Sequence, residues 1–249
     1  MTLHPATQQI IRKVEELSGL PVHVAAEPGM RLRATIVQAR GNAPAHLLRF
    51  KPGAPNLDYL VASQLGFLCR SLSLPPADRW DIAATMVEQD TGIRLMGLGV
   101  FNDDFARSMI GQIITQVRSY SIGLRVDTWM RTALPELREQ QEAEIRSQLA
   151  ENERALAPET RSKFPKGIVD ANSSMNAAFA RFWAGVLGEP RFTIPHTALG
   201  YSAIAGRLLA VLDDVAEEAS GDRTLVARWG ELLGLTETFH FNSQNPGTD

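Results

Sequence analysis

Apolar residues recur at helical spacing over residues 7–17, where Ile10, Ile11, Val14 and Leu17 share a face and Gly19 follows as a stop. Three short strand-like runs come next, Val22–Ala26, residues 32–38 and His46–Phe50, each bounded by Gly, Pro or Asn. Pro52, Gly53 and Pro55 break the chain, and Leu57–Leu72 then reads as a helix that is apolar nearly all round and therefore buried. After Pro75-Pro76 the spacing predicts a helix over residues 77–88. The glycines from Gly92 to Gly99 predict a turn, and Asn102-Asp103-Asp104 predicts the cap of a helix over 105–120.

Beyond residue 100 the pattern is helical throughout. Residues 126–134 form one predicted helix, and Pro135 opens another that runs to about Leu156. That second helix is polar except for a narrow stripe of Leu137, Ile145, Leu149 and Leu156, the pattern of a surface or partner-facing helix. Residues 158–167 read as a linker carrying Arg161, Lys163 and Lys166. Helices are predicted over 172–187, 199–218 and 223–233, and residues 242–249 read as a disordered tail. The fold class is α+β: a small mixed lobe over residues 1–100, followed by a helical lobe over 101–241.

Composition narrows the function by exclusion. The 25 Lys+Arg against 28 Asp+Glu give a net charge of -3, which argues against binding nucleic acid through bulk positive charge. The single cysteine, Cys69, excludes an internal disulfide and any multi-cysteine metal site, and its place on the apolar helix suits a small core residue. No apolar run approaches the roughly 20 residues that span a bilayer. The first residues lack the charged start and apolar stretch of a signal peptide, so the expectation is a cytoplasmic protein.

The chemistry worth weighing lies in Asp58-Tyr-Leu-Val-Ala-Ser-Gln-Leu-Gly-Phe-Leu-Cys-Arg70. This window resembles the active-site helix of zincin metallopeptidases of the ImmA/IrrE type, and the preceding order of helix, short strands and Pro/Gly break is similar to theirs. The resemblance covers about residues 7–90. On the family motif, Ser63 and Phe67 stand at the two zinc-binding histidines, Gln64 at the catalytic glutamate, and Leu65-Gly66 match the residues between. Two histidines four apart present two imidazoles from one helical face, and the glutamate deprotonates the zinc-bound water. A serine is a poor zinc ligand, phenylalanine is none, and glutamine cannot act as a base near neutral pH. The resemblance therefore implies a degenerate domain without metal or cofactor, with Phe67 filling the former metal space. A third ligand would be a downstream acid, for which Glu88, Asp90, Asp103 and Asp104 are available.

Other constellations are weaker. His46 begins the strand beside the Ser63 helix, but no nucleophile elbow surrounds Ser63. The glycines of 92–99 lack the Lys-Ser/Thr of a phosphate loop. Arg125, Asp127 and Arg131 around Trp129 suggest an ion-pair network on one helix. The expected function is a non-catalytic, regulatory or assembly scaffold that meets a protein partner or a second copy of itself. Arg138, Glu142, Arg146, Arg161, Lys163 and Lys166 are its candidate interaction surface. The alternative is a hydrolase whose metal or nucleophile lies outside these motifs.

Overall fold

The computed structural model describes residues 3–30 and 32–244. It is mixed α+β, 68% helical, with sheets of three and two strands. Helix α1 spans Pro5–Ser18: the His4 side chain accepts from the amide of Ala6, and Gly19 ends the helix in the left-handed conformation (φ 69°). Strands β1 (Val22–Ala26), β2 (Ala34–Val37) and β3 (His46–Phe50) form a sheet of order β1-β3-β2, in which β1 runs parallel and β2 antiparallel to β3. Helix α2 is Leu57–Leu72.

The region after Pro75 departs from the expected helix over 77–88. A 3-10 turn at Pro76–Asp78 is followed by β4 (Trp80–Ala83), and α3 begins only at Met86 and ends at Met96. The start is set by a capping box: the Thr85 hydroxyl accepts from the Glu88 amide, while the Glu88 carboxylate accepts from the Thr85 amide. The expected glycine turn over 92–99 is likewise half helix. Gly92 sits inside α3, where a Cβ would lie 3.0 Å from Ile110, and only Gly97 turns the chain (φ 73°).

Helix α4 runs unbroken over Asp103–Ala133, where two helices were expected. Asn102 caps it by accepting from the amide of Phe105 at 2.9 Å. Its two glycines, Gly111 and Gly123, each cost a helix about 1 kcal/mol, and burial of Ile110, Ile113, Ile122, Leu124 and Val126 around them outweighs that. After a 3-10 turn at Pro135–Leu137 come α5 (Arg138–Ala155), the short α6 (Pro158–Arg161) and α7 (Lys166–Leu187). The expected linker over 158–167 is thus an ordered turn of helix and a helix start. Helices α8 (Ile194–Ala198), α9 (Ser202–Asp214) and α10 (Asp222–Leu232) follow, and β5 (His240–Ser243) pairs with β4. Asn242 and Ser243 therefore lie in a strand, not in a disordered tail; residues 245–249 of that expectation lie outside the described residues.

Two compact units interleave along the chain. The first comprises Met1–Trp80, Arg125–Glu144 and Ser243–Asp249; the second comprises Asp81–Leu124 and Ile145–Asn242. The boundary read near residue 100 falls inside the second unit, which begins at Asp81, and α4 and α5 each contribute residues to both units. In the first unit α1 and α2 pack on one another and α2 lies on the sheet, burying Ile10, Val14, Leu48, Val61 and Leu65. The second unit is built around Trp183, Met175, Leu208 and Trp229, whose indole N–H donates to the Leu208 carbonyl at 3.0 Å. Among the described residues no helix is long and apolar enough to cross a membrane.

Candidate functional site

Helix α2 carries the motif positions, and its ends fit its place. Asn56 turns the chain into it from the left-handed region (φ 55°), which asparagine tolerates. Asp58 in the first turn and Arg70 in the last complement the helix dipole. The Asp58 carboxylate also accepts from the His4 amide at 2.6 Å and the Thr7 hydroxyl at 3.0 Å, tying α1 to α2. One side of α2 is fully buried through Val61, Ala62, Leu65, Gly66, Leu68 and Cys69. Gly66 lets α4 pack closely: a Cβ there would lie 2.6 Å from Val126 Cγ1 and 3.6 Å from the Trp129 ring. Burial pushes the Cys69 thiol up to about 11, so it stays protonated and unreactive near neutral pH.

Ser63, Gln64 and Phe67 lie on the other, half-buried side of α2, together with Leu60 and Ser71. Their spacing brings them to one face, as read from the sequence. Phe67 is half-buried, so it is not the enclosed plug that the resemblance implied. His46, on β3, is 1% exposed; its Nδ1 accepts from the Ala39 amide at 3.0 Å and its Nε2 has no hydrogen-bond partner. The Ser63–His46 pair is therefore not formed. Burial holds the His46 pKa below its ordinary value, so the ring is neutral.

The acids available as a third ligand have other bonds. Glu88 caps α3 and lies 2.8 Å from His240 Nδ1. Asp90 pairs with Arg107 at 2.6 Å. Asp103 and Asp104 occupy the first turn of α4, where a negative charge suits the helix dipole. Among the described residues no three His, Cys, Asp or Glu side chains come together as a metal site.

The first unit has a buried polar cluster that the sequence reading did not assemble. The Tyr59 hydroxyl donates to Asp127 at 2.8 Å, and Gln141 donates to the Asp127 carbonyl at 3.0 Å. Burial raises the Asp127 carboxyl to about 7, against the lowering effect of its hydrogen bonds. Arg33 grips Glu144 with both ends of its guanidinium, one bond being 2.7 Å, and Asn56 donates to the same carboxylate at 3.3 Å. The expected helix-surface network around Trp129 is thus replaced. Asp127 turns into the core toward Tyr59, and Arg131 bonds Glu142 at 2.9 Å.

The candidate interaction surface is largely committed within the chain. Arg138 donates to the Arg131 carbonyl, Glu142 pairs with Arg131, Arg146 with Glu189, and Lys166 with Asp170. Lys163 is exposed and Arg161 half-buried. Helix α5 is also less of a surface helix than its stripe predicts, because Gln141, Glu144 and Asn152 are buried beside Ile145 and Leu149. No family model, curated protein or solved structure matches the chain.

Proposed function

We propose that this chain is a non-catalytic scaffold, built on a zincin-like plan that has lost its metal chemistry, and that it works by contact with another protein. The face of α2 that resembles a metallopeptidase motif offers a hydroxyl, a carboxamide and a phenyl ring. That set can neither hold a zinc ion nor deprotonate a water.

The observation that carries the contact reading lies on α3. Of the five exposed residues of this helix, Met86, Val87 and Leu95 are apolar, with Met86 69% and Val87 75% exposed. Val100, 84% exposed, and Phe105, whose ring lies tilted against that of Phe101 with centroids 5.1 Å apart, follow just beyond it in the chain. Scattered surface apolar residues are ordinary, and it is a contiguous apolar patch that marks a protein contact; what supports the reading here is the clustering of these residues in one short segment.

The test compares the full chain with the double variant Val87→Glu, Leu95→Glu. Both positions are exposed, so folding stability should stay within about 0.5 kcal/mol. Sedimentation of the purified chain and capture from its host should show stoichiometric association, with itself or a partner, that the variant abolishes. A chain that associates with nothing, or that associates equally well after both substitutions, contradicts the reading.

A further inference from the structure

Strand β1 is an edge of its three-stranded sheet. Its ladder to β3 uses alternate residues: the Pro21 carbonyl accepts from the His46 amide at 2.9 Å, and the Glu27 amide donates to the Phe50 carbonyl at 2.8 Å. Positions 21, 23, 25 and 27 thus face β3, and the intervening Val22, Val24 and Ala26 point their N–H and C=O groups out of the sheet edge. The Val22 amide donates to the Glu15 carboxylate at 2.9 Å. Among the described residues nothing bonds the amides and carbonyls of Val24 and Ala26. Both residues are exposed, Val24 by 44%. Sheet edges are ordinarily guarded by a charge, a proline or a bulge, and the five residues Val-His-Val-Ala-Ala carry none of these.

We infer that β1 pairs antiparallel with β1 of a second copy of this chain, about a two-fold axis through Ala25. Val24 of each copy then exchanges both backbone bonds with Ala26 of the other, so four amide–carbonyl bonds satisfy every open group of these residues. The ladder stops there for want of donors: the Val22 amide is taken by Glu15, and Pro28, which would face Val22, has no N–H. The same register sets Ala25 against Ala25, small enough for close approach, and sets the exposed His23 against Glu27 of the second copy, twice. Glu27 is open to a new partner because its pairing with Arg49 is long, 3.7 Å. This complementarity selects a second copy as the occupant, and it selects the register: an axis through Val24 would face His23 with Ala25 and lose both pairs.

Five residues a side fall well short of the roughly 20–30 of a stable complex, so the pairing is weak, with a dissociation constant on the order of 10⁻⁴ M. It is dissociated at the micromolar concentrations where the α3 contact is read. It does not rest on that contact, since β1 belongs to the first unit and α3 to the second. Sedimentation of the full chain from about 10 µM to about 1 mM should show a reversible monomer–dimer equilibrium.

Disulfide trapping reads the register. Across the axis the two Ala25 Cα atoms are about 4.5 Å apart, within disulfide reach, whereas the two Val24 positions are diagonal neighbours roughly 7–8 Å apart. Ala25→Cys, oxidised with diamide, should therefore cross-link, and Val24→Cys, at the more exposed position, should not. The native Cys69 is buried and stays silent. His23→Glu faces Glu27 with a like charge and should slow the Ala25→Cys cross-link about tenfold, and adding Glu27→Lys should restore it. No dimer at about 1 mM, Val24→Cys cross-linking as fast as Ala25→Cys, or an unchanged rate in the His23→Glu background would overturn the inference.

Discussion

Arg33→Ala is expected to lower the unfolding free energy by about 3 kcal/mol, read from chemical denaturation. Glu144 is only 6% exposed, and the guanidinium of Arg33 is its counter-charge. Removing that partner leaves a carboxylate out of water with one remaining bond, from Asn56 at 3.3 Å. Most of the loss comes from this stranded charge and little from the pair itself, because Arg33 is 39% exposed and screened on its outer side. The double variant Arg33→Met, Glu144→Gln, which strands no charge, should therefore be more stable than Arg33→Ala. A double variant no better than the single one would show that the pair acts by attraction alone.

Asp127→Asn is expected to flatten the dependence of stability on pH between about 4 and 7. The native carboxyl is raised from 3.8 to about 7 by burial, so the folded chain keeps its proton where the unfolded chain has lost it. The sign follows directly. The contribution is complete below about pH 4 and lost as pH rises through 7, a span worth on the order of 4 kcal/mol. Buried His46 and His196, both shifted down by desolvation, act in the opposite sense, and their contribution is lost as pH falls below about 6.5. The informative quantity is thus the difference between variant and wild type. Asparagine keeps an acceptor for the Tyr59 hydroxyl but cannot ionise, so the variant should gain on the wild type steadily from pH 4 to 7. Parallel curves would mean that Asp127 ionises in the fold without cost.

The parts of this fold that were legible in the sequence are those with local punctuation. Strands β1 and β3 and helix α2 fall where Pro, Gly and Asn bracket them, and Gly19 ends α1 by a left-handed turn that a side chain resists. Strands β4 and β5 were not legible, because each is four residues long and finds its partner across most of the chain. No short-range pattern encodes such a pairing. The start of α3 was readable in principle, since Thr85 and Glu88 have capping-box spacing, but the apolar residues of 77–88 suggested a helix already under way. The continuity of α4 depends on burial that only the folded chain supplies.

The candidate site divides in the same manner. That Ser63, Gln64 and Phe67 share a face is a consequence of helical spacing and needs no structure. How far that face is covered depends on what packs against α2, as Val126 and Trp129 do at Gly66. The Tyr59–Asp127 bond joins residues 68 apart and the Arg33–Glu144 pair residues 111 apart. The sequence offered Arg125 and Arg131 as neighbours for Asp127, and it could not name the tyrosine whose hydroxyl bonds it.

The central claim is that the motif-bearing helix is a packing element without metal chemistry. Zinc content tests it most directly, measured by mass spectrometry after equilibrating the full chain with zinc and dialysing it. The account predicts no stoichiometric zinc, and the same result for His46→Ala and Ser63→Ala. One zinc per chain, lost on either substitution, would contradict it.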